Sequence, residues 1–173
     1  EHMVELLRDL VDIDSNSFDK AGVDRVGARL TAFFDDNEIP HETISLEEYG
    51  DAIRAVVSGV DGNQPILLCG HRDTVFPTGE VEKRPFSIAD RKAFGPGVAD
   101  MKPGLVINAF ILAAFHKFGG HPNPLVGLFT GDEEIGSPAS RDVITAEAKK
   151  ARLAFNSEPS RPSGNIVTRR KGG

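Results

Sequence analysis

Pro65-Ile66-Leu67-Leu68-Cys69-Gly70-His71-Arg72-Asp73 decides how the chain is read: an apolar run of strand length that ends in an imidazole and a carboxylate. A short continuous apolar run bounded by turn residues is the pattern of a strand buried on both faces. The plan recurs downstream. Leu125 to Thr130 is a second run, closing on Gly131-Asp132-Glu133-Glu134, and Ala151 to Asn156 is a third, followed by Ser157-Glu158. Between the first two, Lys102 to Lys117 places Leu105, Ile107, Phe110, Ile111, Ala114 and Phe115 around most of a helical circumference, and Gly119-Gly120 stops it. Pro138 to Lys150 reads as a more polar helix. Strand and helix alternating in this way predict an α/β fold, a mixed, largely parallel sheet flanked by helices.

Upstream, Val4, Leu7, Leu10 and Val11 recur at helical spacing, and Asp14-Ser15-Asn16-Ser17 ends that helix with turn chemistry. A second helix follows, with the stripe Val23, Val26, Leu30, Phe33 and Phe34, and it stops before Pro40. His41 to Leu46 and Ala52 to Ser58 have strand character, and Asp61-Gly62-Asn63 is a hairpin or loop signal. Residues 71 to 101 hold no long periodic segment. A stretch of that kind inside a compact domain is functional or disordered, and its Pro, Phe and Val content argues against disorder.

Composition narrows the function class. The 173 residues suit one domain, and 39% hydrophobic with 27% charged residues can bury a core. Against 20 Lys and Arg stand 26 Asp and Glu, a net charge of -6, so the basic surplus that attracts nucleic acid or anionic lipid is absent. No apolar stretch reaches the ~20 residues of a membrane span, and Asn108 interrupts the longest. Cys69 has no second cysteine to pair with and reads as a buried core thiol. No secretory leader opens the sequence, which points to the cytoplasm, or to a periplasmic or secreted protein if a leader lies upstream.

Ligands of alternating strand and helix sheets bind outside the carboxyl ends of the strands, so His71, Asp73, Asp132, Glu133, Glu134 and Glu158 are expected to converge. One imidazole among several carboxylates calls for a counter-charge, and a divalent metal pair supplies it. Each cluster also has a plain reading. His71 and Asp73 suit a polar turn, the acidic Asp132-Glu133-Glu134 suits a helix dipole, Asp100 suits an N-cap, and Glu158 suits a solvated loop. Two other motifs fail on detail. His71-Arg72-Asp73 imitates a kinase catalytic loop, but Thr78 stands where its Asn is required, and Gly95-Pro96-Gly97 lacks the third glycine of a dinucleotide fingerprint.

Taken jointly, Gly70-His71-Arg72-Asp73-Thr74-Val75, Gly95-Pro96-Gly97-Val98-Ala99-Asp100-Met101-Lys102, Thr130-Gly131-Asp132-Glu133-Glu134-Ile135-Gly136-Ser137 and Ser157-Glu158-Pro159 resemble the zinc aminoacylase and carboxypeptidase family M20, in its glutamate carboxypeptidase branch. Spacings of 29 residues from His71 to Asp100, 33 on to Glu133, and 24 from Glu134 to Glu158 fit that pattern. The opening helix through Ser17 fits it as well.

The resemblance implies a zinc-dependent exopeptidase fold and two Zn2+ ions, with Co2+ or Mn2+ as substitutes. One ion would be held by His71, Asp100 and Glu158, the other by Asp100 and Glu134. Asp73 would orient His71, Glu133 would be the general base and acid, and the Asp100-Met101 peptide would be cis. The implied reaction is hydrolysis of a peptide or N-acyl amide bond in a small carboxylate-bearing substrate, with acetylornithine- or succinyl-diaminopimelate-type deacylation as the alternative and a non-catalytic metal-binding module as another. It further implies a homodimer and a chain about twice as long. On that view, 1–168 is the first portion of the catalytic domain, inactive alone, 169–173 begins the connection to a dimerisation and lid domain, and the last zinc ligand is a histidine near the far end of the catalytic domain. His2, His41, His116 and His121 sit in no matching motif.

Overall fold

The computed structural model describes residues 1–160, 163 and 164; the expected boundary at 168/169 lies outside the described residues. Two helices open the chain, α1 (His2–Val11) and α2 (Lys20–Asp36). The strands β1 (His41–Ile44), β2 (Ala52–Val57) and β3 (Ile66–His71) follow. A short helix α3 (Glu80–Lys83) and the hairpin β4 (Ser87–Ala89) and β5 (Lys92–Phe94) lead to α4 (Lys102–Lys117). The strand β6 (Leu125–Thr130), a single 3₁₀ turn at Glu133–Ile135, the helix α5 (Arg141–Lys150) and β7 (Leu153–Asn156) complete the order.

The main sheet has the order β1-β2-β6-β3-β7. The strands β6, β3 and β7 run parallel, whereas β1 and β2 add an antiparallel flank. The sheet is therefore mixed, and the Asp61-Gly62-Asn63 turn is a loop, because β6 lies between β2 and β3. The central strand β6 is buried at every position, as its unbroken apolar sequence requires.

One face of the sheet packs against α1, α2 and α4 through Leu10, Leu30, Phe34, Leu68, Leu105 and Phe129. The smaller opposite cluster joins Leu67, Val126 and Leu128 to Val143 and Ile144 of α5. In α1 the buried stripe is Leu6, Leu10 and Val11, while Val4 is exposed. The expected stripe is thus rotated. β7 departs further: all four of its residues are exposed, including Leu153 and Phe155, because it is the sheet edge and pairs only with β3.

The β3 and β6 register sets His71 opposite Thr130, so both strands deliver their polar ends to the same edge. Residues 71 to 101 are ordered, pinned by the turn after α1. Asp12 accepts from the Phe86 amide at 2.7 Å, Asp14 from the Gly79 and Val81 amides at 2.6 and 3.1 Å, and Ile13 O from Lys102 Nζ at 2.8 Å.

Candidate metal centre

His71 ends β3 with its side chain 2% exposed. Its Nδ1 lies 3.0 Å from the backbone oxygen of Asp73 and 3.3 Å from Asp73 Oδ1. A proton held on Nδ1 by these acceptors leaves Nε2 as the lone-pair nitrogen. Nε2 is buried, and among the described residues it makes no hydrogen bond of good geometry. It faces Asp100 Oδ1 at 3.3 Å, Glu158 Oε1 at 3.4 Å and Glu133 Oε2 at 3.6 Å.

Each carboxylate is delivered by a different element. Asp100 precedes α4, and the Asp100-Met101 peptide is cis, as expected. Glu133 and Glu134 occupy the 3₁₀ turn after β6, closed by Gly136 at φ 88°. Asp132 points away from the cluster: its carboxylate accepts from the Ala139 and Ser140 amides at 2.8 and 3.0 Å, and from the Ser140 hydroxyl, at the start of α5. Glu158 follows β7, and a buried residue on α4 helps to place it. Asn108 Nδ2 donates to Cys69 O at 3.0 Å, and the Ser157 hydroxyl donates to Asn108 Oδ1 at 2.7 Å.

Asn108 was read from sequence only as a break in an apolar run. A lone buried amide on a helix otherwise packed with hydrocarbon is the signal that could have found it, since a buried amide demands partners. Cys69 is half-buried rather than enclosed, and it borders a cleft of about 280 Å³ with His71, Thr130, Glu133, Ile144 and Glu158. His41 and His121 bond to backbone near their own positions, at Ile39 O and Asn123 O, away from this cluster.

Electrostatics mark the cluster as frustrated without a cation. Burial disfavours the His71 imidazolium, but the Asp73 and Glu158 carboxylates on either side of the ring outweigh it and push the group up to about 11. Burial, then the neighbouring Glu158 carboxylate, raises Asp100. Glu133 and Glu134 are raised by burial and by the surrounding carboxylates. Glu158 is lowered, chiefly by the His71 ring that it faces. Burial opposes ionisation of Asp73 too, yet hydrogen bonds from His71 and Ser17 bring it below the usual range.

Among the described residues, two groups of three donors have ligand atoms within 4.8 Å of one another: His71, Asp100 and Glu134, and His71, Glu133 and Glu158. The donor set fits a divalent cation. One neutral imidazole and several oxygens suit zinc, cobalt or manganese, and a cation would satisfy the buried Nε2 while neutralising the crowded carboxylates.

This acid-rich cluster lies at the carboxyl edge of a mixed sheet between helices, where folds of alternating strand and helix bind their ligands. The chain belongs to peptidase family M20/M25/M40, whose family model matches residues 67–171. It is 32% identical over 166 residues to carboxypeptidase G2 of Pseudomonas sp. (strain RS-16), covering 91% of this chain and 39% of that protein. It is 30% identical over 166 residues to acetylornithine deacetylase of Salmonella arizonae, covering 91% and 43%. The fold matches an M20 family metallo-carboxypeptidase from Sulfolobus solfataricus with a TM-score of 0.78 at 19% identity, over 95% of this chain and 39% of that one. The chain thus spans about two fifths of the length of these relatives.

Proposed function

We propose that this chain supplies most of a two-metal centre that hydrolyses the amide bond of a small, carboxylate-bearing peptide or N-acyl amino acid. The observation that carries the reading is the buried His71 Nε2 facing Asp100, Glu133 and Glu158 from 3.3 to 3.6 Å. His71, Asp100 and Glu158 would hold one zinc ion, and Asp100 with Glu134 would contribute to a second. Divalent cations there supply Lewis acidity, polarising the scissile carbonyl and the attacking water.

Asp73 keeps the Nδ1 proton in place, so that His71 presents Nε2 as a donor of electrons. Glu133 is the group free to move a proton. Its side chain is 51% exposed and borders the cleft, and its raised pKa suits a carboxylate that takes a proton from water and returns it to the leaving nitrogen. A site that merely stored metal would have no need of that group, which weighs against a non-catalytic module. The 32% identity to carboxypeptidase G2 supports the glutamate-type carboxypeptidase reading, and the 30% identity to acetylornithine deacetylase supports N-acyl amino acid deacylation as the second.

In this reading the complete polypeptide is a cytoplasmic homodimer, and the chain spanning 1–173 alone is inactive. Comparison of folate-like glutamates with N-acetyl amino acids in the complete polypeptide tests the substrate. Glu133→Gln is expected to lower kcat by about 10²- to 10⁴-fold with little change in KM. Unchanged kcat in that variant would contradict the assignment of the base.

A further inference from the structure

Asp73 does more in this fold than face one histidine. It is fully buried, and its two carboxylate oxygens collect four contacts. Oδ1 accepts the Glu133 amide at 3.1 Å and lies 3.3 Å from His71 Nδ1. Oδ2 accepts the Glu134 amide at 3.1 Å and the Ser17 hydroxyl at 2.7 Å. One carboxylate therefore joins the end of β3 to the turn after β6, so its plane sets where His71 stands relative to both glutamates. The shortest of its bonds comes from Ser17, 56 residues away in the turn between α1 and α2.

Ser17 is 2% exposed, and the turn that carries it is fixed by bonds that do not use its hydroxyl. Ser15 O accepts the Thr74 amide at 2.8 Å, Asn16 pairs with Thr74 as a parallel bridge, and Asn16 Nδ2 donates to Phe76 O at 3.0 Å. Removing the hydroxyl should therefore spare the turn and release Asp73. With Ser17 absent, Oδ2 keeps only the Glu134 amide. The carboxylate can then rotate, and rotation loosens its hold on the two glutamate amides and on the imidazole together.

We propose that Ser17 is a positioning residue of the metal centre, acting through Asp73 to fix His71, Glu133 and Glu134 as one rigid set of donors. The inference rests on the metal-centre reading above. Its magnitude should be that of an outer hydrogen-bond partner of a metal ligand, on the order of a tenfold to hundredfold loss of metal affinity.

The test is zinc and cobalt affinity of the purified protein by competition with a chromophoric chelator, alongside thermal unfolding in EDTA. Ser17→Ala should bind each metal about tenfold or more weakly and alter the visible spectrum of the cobalt form, while unfolding in EDTA near the wild-type temperature. Leu30→Val, in the buried core of α2 and away from this turn, is the control for lost stability alone: it should lower the unfolding temperature in EDTA and leave metal affinity within about threefold. If Ser17→Ala does not fold, Ser17→Cys keeps a side chain of similar shape with a weak donor and should show the same loss of affinity. Wild-type affinity in whichever Ser17 variant folds, or equal losses in Ser17→Ala and Leu30→Val, would overturn the role of Ser17. A wild-type protein that binds neither metal, or a His71→Ala variant that binds as tightly as wild type, would instead overturn the metal-centre reading and this inference with it.

Discussion

At the scale of single residues, the centre is a contest between protons and a cation. In the metal-free protein His71 is held up to about 11, and Asp100, Glu133 and Glu134 are all raised above ordinary carboxylates. A metal must displace whatever protons these groups hold, so acid opposes binding and base favours it. Zinc affinity is expected to rise between pH 6 and pH 8, by up to about tenfold per pH unit for each proton displaced. Calorimetry in two buffers of different ionisation enthalpy would count the protons released, and affinity that falls or stays flat over that range would contradict this account.

Arg72, fully buried between His71 and Asp73, poses a separate residue-scale question. Its guanidinium donates to Val23 O at 3.0 Å and lies in the field of Asp24, Asp73, Asp51 and Asp132. Arg72→Ala should destabilise the fold by about 3–5 kcal/mol, because it strands buried negative charge. Urea unfolding measures this, and a loss under 1 kcal/mol would refute it. Residue types at strand ends make His71, Asp73, Glu133, Glu134 and Glu158 legible in the sequence, whereas Asp100, ahead of a helix, is singled out only by the family resemblance of its Gly95–Lys102 segment. Ser17 and Asn108 are not legible there, because a serine in a polar turn and an amide in a helix acquire meaning only from partners 56 and 39 residues away.

At the scale of elements, periodicity located what packing enforces. The bounds of α4 and β6 follow the sequence residue for residue: β6 is buried at every position, and α4 packs a largely buried first half against the sheet before Ala114, Phe115 and Lys117 reach solvent. The hairpin β4–β5 escaped notice because its turn residues Asp90 and Arg91 adopt φ of 49° and 61° without a glycine to announce them. The stripe of α1 was displaced because Val4 is apolar yet faces solvent, so hydrophobicity alone misjudged the phase. The seam between α4 and the loop after β7 depends on Gly104, where a Cβ would run into the Ser157 carbonyl. Gly104→Ala should therefore cost about 1–3 kcal/mol by overpacking and weaken zinc binding by shifting Glu158. Unfolding and chelator competition on the variant would show both effects, and a variant with wild-type stability and affinity would exclude that coupling.

At the scale of the molecule, the sheet is well covered on its faces by helices but exposed at β7. Leu153 and Phe155 stand 52% and 55% exposed on a parallel edge strand that has no outer neighbour among the described residues. An open apolar edge invites pairing with another chain, so Phe155→Lys should reduce self-association of this chain in sedimentation experiments with little change in its unfolding temperature. No helix among the described residues is long and apolar enough to cross a membrane. Part of the acidic surplus behind the net charge of -6, namely Asp73, Asp100, Glu133, Glu134 and Glu158, gathers around His71, where the proposed cation site lies. The most direct test of that claim is metal content, measured by elemental analysis after zinc loading and dialysis of the wild type, Glu133→Gln and His71→Ala. Zinc retained by the first two and lost from His71→Ala is the predicted result; a His71→Ala protein carrying as much zinc as wild type would contradict it.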